Sequence, residues 1–259
     1  MPAKVKAVLF DIEGTIYANG VWIDGAIDTI QWLLENGIAV RFVTNKTTAS
    51  QETIWQLFND TALDIPREWV YTPAFSAKRW FLKTPVKNGI LPLVHSSVLV
   101  DLDGLDLTQS ENADFVLLGN MGEEWQIDLL NKALRAVLNG ATLTTLEMNK
   151  SWVANDGHRL LAGPFVKALE YAAGSACEVV FGKPSSVLFN TILADVNVDA
   201  AEALIAGDDL DADILGAVQL GMRGFLVKTG RYSGGAANLN GRIEVAESVA
   251  SLRAYLEGA

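Results

Sequence analysis

The sequence predicts a doubly wound α/β protein, built on a parallel sheet, that carries a second, smaller α/β domain as an insertion. Three observations predict it. Apolar, strand-like runs alternate with amphipathic helical stretches in the first third of the 259-residue chain and again in the last. Pro85, Gly89 and Pro92 break the alternation, and a differently patterned middle follows. Polar and acidic clusters stand just past several of the predicted strands, where open parallel sheets bind ligands. The expected division is a core of residues 1–83 and 177–259 and an inserted domain of residues 84–176.

The elements follow from periodicity and from their start and stop signals. Residues 5–10 form a buried strand that runs into Asp11. Helix 24–36 puts Ile27, Ile30, Leu33 and Leu34 on one face and stops at Gly37. Strand 38–43 ends in Thr44-Asn45; helix 48–59 turns Ile54, Leu57 and Phe58 inward; strand 69–71 and helix 73–82 complete the first third. In the middle, strands are expected near 94–100, 115–118 and 142–146. Helix 125–138 spaces Trp125, Leu129, Ala133 and Val137 by four residues. Residues 152–161 read as a hairpin turning at Asn155-Asp156-Gly157, and helix 165–173 has Pro164 in its first turn. The last third gives strand 178–181, helix 184–194 opened by Pro184, strand 203–206, helix 212–220, strand 224–228 and a final helix 245–256.

Composition removes several function classes. A net charge of −11 makes nonspecific nucleic-acid binding unfavourable. No apolar stretch approaches the roughly 20 residues that span a bilayer, and the first residues do not read as a signal peptide. A single cysteine, Cys177, excludes an internal disulfide and fits a cytoplasmic setting; it reads as a strand-side thiol and not a nucleophile. With two histidines only, His95 and His158, a Ser-His-Asp device or a multi-histidine zinc site is disfavoured. Catalysis must then rest on carboxylates, a lysine and a divalent metal.

Four clusters have the composition for that chemistry: Asp11-Ile12-Glu13-Gly14-Thr15, Thr44-Asn45, Gly182-Lys183-Pro184, and Gly207-Asp208-Asp209-Leu210-Asp211-Ala212-Asp213. Each alone is also an ordinary turn or helix cap. Each follows a predicted strand, so a single parallel sheet would bring all four to one edge. A carboxylate that attacks a phosphate ester needs positive charge beside it. Acids from two strands could hold Mg2+, and a lysine could add a point charge on phosphoryl oxygens. A short hydroxyl residue could bind the remaining oxygens, and a second acid could exchange protons with the leaving group and water.

In this order the four clusters resemble the haloacid dehalogenase superfamily, most of whose members are Mg2+-dependent phosphatases. The insertion between the second and third clusters resembles the α/β cap of its subclass IIA, the NagD-type and 4-nitrophenylphosphatase-like proteins. "GPFVKALEYA", "GKP" and "LVKTGRY" resemble a branch with the phospholysine phosphohistidine inorganic pyrophosphate phosphatase-like proteins. The resemblance implies an HAD-type Rossmannoid core with Asp11 as nucleophile, Glu13 as acid/base and, through its carbonyl, a metal ligand. It implies Thr44 and Asn45 as phosphate-binding residues, Lys183 as the neutralising cation, Asp208 as a Mg2+ ligand, and Asp213 and Asp209 as its supports. Glu13 stands where the family usually has aspartate; the enolase-phosphatase branch also carries Asp-Ile-Glu-Gly.

The expected activity is hydrolysis of a small phosphorylated metabolite through an aspartyl-phosphate. The alternatives are a phosphate-ligand binding or interaction protein on the same scaffold, with catalysis weakened by Glu13, and a haloacid dehalogenase, against which the acidic Gly207–Asp213 cluster argues. Asn149, Lys150, Trp152 and His158 in the insertion, and Tyr17 and Lys46 beside the core clusters, are candidate substrate contacts. Apolar surface on the insertion would allow a homodimer. No nucleic-acid or membrane partner is expected.

Overall fold

The computed structural model describes residues 4–234 and 241–258. They form two compact units. The first contains the chain up to Thr44, Trp55–Tyr71 and the chain from Lys183 onward; the second contains Asn45–Ile54 and Thr72–Gly182.

Strand β1 (Ala7–Asp11) opens the first unit and is buried along its whole length. A two-residue hairpin, β2 (Tyr17–Ala18) with β3 (Val21–Trp22), follows and was not foreseen from the sequence. Helix α1 (Ala26–Glu35) leads to β4 (Ala39–Val43). Helix α2 (Gln51–Trp55) is shorter than the expected 48–59 and continues as a 3₁₀ turn, Gln56–Phe58. Then come β5 (Val70–Tyr71) and α3 (Pro73–Phe81). Thr72 caps α3 by accepting from the Phe75 N–H at 3.1 Å, and Pro73 fits the first turn.

The second unit continues with β6 (Ile90–Leu93), β7 (Phe115–Leu118), α4 (Ile127–Leu138) and β8 (Thr142–Thr145). The hairpin β9 (Ser151–Ala154) and β10 (Gly157–Leu160), helix α5 (Ala162–Ala173) and β11 (Val179–Val180) complete it. These make a parallel four-stranded sheet in the order β11-β8-β7-β6 and a separate two-stranded ribbon. Leu91, Val116, Leu118, Ala133, Leu143 and Val166 lie in its core, and Trp125 stacks on Phe165 with ring centroids 3.9 Å apart.

Back in the first unit, α6 (Ser186–Val196), β12 (Ala203–Gly207), α7 (Gly216–Gln219), β13 (Arg223–Val227), β14 (Ile243–Ala246) and α8 (Leu252–Glu257) follow. The six-stranded sheet runs β14-β13-β12-β1-β4-β5, every pair parallel. β1 and β12 lie at its centre and are apolar without alternation, as strands covered on both faces must be. The doubly wound α/β class is therefore the observed one.

Three expectations need correction. The strand expected at 94–100 is instead β6 at Ile90–Leu93, followed by a 3₁₀ helix, Ser96–Leu102. Pro92 reads as a breaker, yet β6 is an edge strand, where a missing N–H removes no ladder bond from the sheet interior. Val98 and Leu102 are buried at a helical spacing of four. The final helix expected at 245–256 is a strand, a break and a short helix; β14 pairs with β13, and Ser248 caps the following turn by accepting from the Ala250 N–H at 3.3 Å. The strand expected at 178–181 is shorter and pairs with β8, so it extends the second unit's sheet.

Beyond the expected span of 84–176 the second unit contains Asn45–Ile54, and it also takes in α3 and residues 177–182. An aromatic cluster accounts for this: Trp80 and Phe81 of α3 pack edge-on or tilted against Phe115 and Phe181, with ring centroids 5.3–5.9 Å apart. Among the described residues no helix is long and apolar enough to cross a membrane.

Candidate active site

Three adjacent parallel strands, β4, β1 and β12, end side by side, and the residues that leave them carry the polar groups. Asp11 is the last residue of β1 and only 6 % exposed. The chain then turns within a few residues. The N–H groups of Ile16 and Tyr17 donate to the Ile12 carbonyl at 3.1 and 3.0 Å, and Gly14 adopts a φ of 92° that favours glycine. The turn brings Thr15 over the aspartate, where its hydroxyl donates to Asp11 Oδ2 at 3.2 Å. Glu13 is exposed. Tyr17, half-buried, starts the hairpin and meets Trp22 edge-on at 5.6 Å.

Thr44 follows β4, is buried, and donates its N–H to the Tyr71 carbonyl at 3.0 Å. Asn45 comes next and belongs to the second unit, where its Oδ1 lies 2.9 Å from the position a Cβ on Gly182 would take. Lys46 is exposed.

At the end of β12, Asp208 and Asp213 are 3 % and 1 % exposed. Asp209 between them caps the next turn, its Oδ1 accepting from the N–H groups of Asp211 and Ala212, both at 3.0 Å. That turn, Leu210–Leu215, is a wide π-type turn that runs into α7, where the sequence suggests one plain helix. Asp213 is held by the Asp209 N–H, which donates to its Oδ2 at 3.1 Å.

Lys183 completes the cluster. It is 4 % exposed and pairs with Asp11 Oδ1 and, at 2.6 Å, with Asp213 Oδ1. The expectation that one sheet edge delivers all four clusters is corrected here. Lys183 follows β11, a strand of the other sheet, and reaches Asp11 as the first residue of the returning chain.

One ammonium among three buried carboxylates leaves a net negative charge with little water to screen it. Burial, and then repulsion from Asp213 and Asp208, raises Asp11 well above the usual carboxylate range, against the attraction of Lys183. Burial raises Asp208 as well. For Lys183, burial favours the neutral form, but Asp11 and Asp213 outweigh it and hold the ammonium above its ordinary value. Carboxylate oxygens of Asp11, Asp208 and Asp213 lie within 4.8 Å of one another. Hard oxygen donors and uncompensated negative charge fit a hard divalent cation such as Mg2+.

A further element, absent from the sequence-based site, is the turn after β13. Thr229 donates its hydroxyl to the Gly14 carbonyl at 2.5 Å, and the Arg231 N–H donates to Asp208 Oδ2 at 2.6 Å. Gly230 lies between them, and a Cβ there would collide with the Asp208 carboxylate and lie 2.8 Å from Gly14 Cα. The signal was a Thr-Gly pair just beyond the strand next in sequence after β12. Gly230→Ala should therefore displace Asp208, and calorimetric titration with Mg2+ should show affinity weakened roughly tenfold or more. Wild-type affinity in that variant would show the turn to be irrelevant to the site.

The other candidates lie in the second unit. Trp152 and His158 stand on the exposed β9–β10 ribbon, where their strands pair with each other, and Lys150 is exposed. Asn149 is half-buried and donates its side-chain N–H to Glu147 Oε2 at 3.0 Å. Cys177 is half-buried and its thiol is pushed up to about 11 by burial, so it is no nucleophile at neutral pH.

Comparison with known proteins gives one answer along nearly the whole chain. Residues 8–108 match the family described as haloacid dehalogenase-like hydrolase, and residues 180–252 match a second HAD-hydrolase-like family. The phospholysine phosphohistidine inorganic pyrophosphate phosphatase of Danio rerio is 35% identical over 235 residues, which cover 88% of this chain and 85% of that protein. The haloacid dehalogenase-like hydrolase domain-containing protein 2 of Rattus norvegicus is 35% identical over 228 residues, 88% of this chain and 86% of its own. Among solved structures, the p-nitrophenyl phosphatase of Archaeoglobus fulgidus has the same fold, with a TM-score of 0.85 at 23% identity, over 99% of this chain and 100% of that one.

Proposed function

This chain belongs to the haloacid dehalogenase-like hydrolases, and we propose that within that family it is a Mg2+-dependent phosphatase, acting on a small phosphorylated metabolite through an aspartyl-phosphate on Asp11. The observation that carries the proposal is the buried cluster of Asp11, Asp208 and Asp213 around Lys183, at the ends of adjacent parallel strands.

Asp11, Asp208 and the Glu13 carbonyl would hold the ion, with Asp213 and Asp209 behind them. Bound there, Mg2+ would supply positive charge to the phosphoryl oxygens. The residues of the chain do the rest. An Asp11 oxygen attacks phosphorus as the ester P–O bond breaks, while Lys183 holds the other oxygen and offsets the gathering charge. The Thr44 hydroxyl and Asn45 donate to phosphoryl oxygens. The Glu13 carboxyl gives its proton to the leaving oxygen; as carboxylate it then takes one from the water that attacks the phospho-aspartate, which releases phosphate and regenerates Asp11. A cytoplasmic setting is part of this reading, supported by the single cysteine.

The test is hydrolysis of 4-nitrophenyl phosphate, then of a panel including phosphohistidine, phospholysine and pyrophosphate, which the names of the relatives suggest. Turnover with Mg2+ that is lost in EDTA and restored by fresh Mg2+ is expected. A folded protein that hydrolyses none of these in the presence of Mg2+ would sink the proposal. The exposed Glu13, one methylene longer than the residue usual in the family, favours one second reading: a phosphate-binding protein with weakened catalysis. Glu13→Asp separates the two. A fall in turnover, up to ~100-fold for a displacement of about an ångström, marks a site built around glutamate; a large gain marks an impaired one.

A further inference from the structure

Glu147 is a buried carboxylate with no part in the chemistry above. It lies in the loop after β8, is 2 % exposed, and belongs with its partners to the second unit. Three neutral donors surround it. The Thr47 hydroxyl donates to Oε1 at 3.1 Å, the Asn149 amide to Oε2 at 3.0 Å, and the backbone N–H of Ala162, the first residue of α5, also donates to the carboxylate. The loop itself is fixed. Thr145 donates its hydroxyl to the Glu147 carbonyl at 2.8 Å, and the Gly163 N–H donates to the Asn149 carbonyl at 3.1 Å. A Cβ on Gly163 would lie 2.5 Å from the Met148 carbonyl oxygen.

A carboxylate in this position is costly, and a neutral side chain would fill the space without that cost. What the anion adds is directional. It ties three separate stretches of chain to one point: the 45–50 segment through Thr47, its own loop through Asn149, and the start of α5. The 45–50 segment is the direct continuation of Thr44-Asn45. We propose that Glu147 is a positioning residue whose ionised carboxylate fixes the 147–150 loop and the 45–50 segment and, because that segment continues directly from Thr44-Asn45, the groups proposed to bind the phosphorylated substrate. The inference rests on the phosphatase reading for its substrate.

The arrangement makes the effect pH-dependent. Burial pushes Glu147 up to about 7, while Thr47, Asn149 and the Ala162 N–H each favour the anion. No charged group competes within this set. The flanking lysines, Lys46 and Lys150, are exposed, β7 and β8 carry no charge, and the first charged residue of α5 is Lys167. Below neutrality the carboxyl gains its proton and can no longer accept from all three donors.

Kinetics of the wild type, Glu147→Gln and Glu147→Ala with 4-nitrophenyl phosphate, from about pH 5.5 to about pH 8.5, test this. At the alkaline end both variants should show KM raised, roughly tenfold for alanine, with kcat within a few-fold. The glutamine gap should close at the acid end, where the wild-type carboxyl is itself neutral, and the alanine gap should narrow there. Amide hydrogen exchange of residues 45–50 should follow the same pattern, faster in both variants at alkaline pH and, for Glu147→Gln, equal to wild type at acid pH. A KM ratio that does not change with pH, or unchanged exchange, overturns the proposal. If the wild type hydrolyses no phosphate ester, the phosphatase reading has failed, and the exchange measurement alone decides whether Glu147 positions the segment.

Discussion

Replacing Asp11 with asparagine is expected to abolish phosphate-ester turnover, by on the order of 10⁴-fold or more, while the protein stays folded. The amide has Asp11's shape but cannot attack phosphorus. Stability should not suffer, because the substitution replaces a carboxyl whose ionisation burial and its carboxylate neighbours already disfavour, in a buried group of three that share one ammonium. Lys183 keeps its 2.6 Å pair with Asp213. Denaturant unfolding in EDTA should therefore place the variant within about 1 kcal/mol of wild type, or above it. Residual turnover near the wild-type rate would rule out a nucleophilic Asp11.

Lys183→Met has the opposite thermodynamic signature. Methionine fills much of the same volume but leaves Asp11, Asp208 and Asp213 buried without a counter-charge. Breaking a buried pair from one side costs about 3–5 kcal/mol, and that deficit is expected in EDTA at neutral pH. Burial and repulsion already raise Asp11, and burial raises Asp208, in the native protein; without the ammonium, which lowers both, these two carboxyls are raised further. A carboxyl raised in the folded state binds its proton more tightly there than in the unfolded chain, so its contribution to stability is lost as pH rises. The deficit should thus shrink toward pH 5 and grow toward pH 8, and saturating Mg2+ should also reduce it. Turnover should fall about 10³-fold, the scale set by removing one preorganised charge from a reacting centre. Unfolding curves at two pH values, with and without Mg2+, measure all of this. A deficit indifferent to both pH and metal would mean that Lys183 acts by packing alone.

The two variants expose different aspects of one cluster, and that cluster is only partly legible in the sequence. Asp11 and Asp208 are legible because each directly follows a short apolar run, and strand ends are local features. The period of the helices and the hairpin at Asn155-Asp156-Gly157 are local too, and the hairpin is found as β9 and β10. The failures share a cause. Pro92 looks like a break because the sequence does not say that its strand is an edge. The 245–256 stretch looks helical because nothing local shows that β13 offers Ile243–Ala246 a partner. The strand before Gly182-Lys183 looks like part of the core because its pairing with β8 is a tertiary choice.

The sequence by itself determined the α/β class, the strand ends that carry Asp11, Thr44 and Asp208, and a composition with one cysteine and two histidines that disfavours thiol and multi-histidine devices. Burial of apolar runs and turn preferences are short-range, so they are written in adjacent residues. Tertiary structure alone decided that Lys183 arrives from another sheet and meets both Asp11 and Asp213. It also decided that Thr229, Gly230 and Arg231 close on Gly14 and Asp208, and that Glu147 has Thr47 as a partner. These contacts join residues up to 215 positions apart. Their energies depend on desolvation and on which charges share a site, and those quantities exist only once the chain has folded.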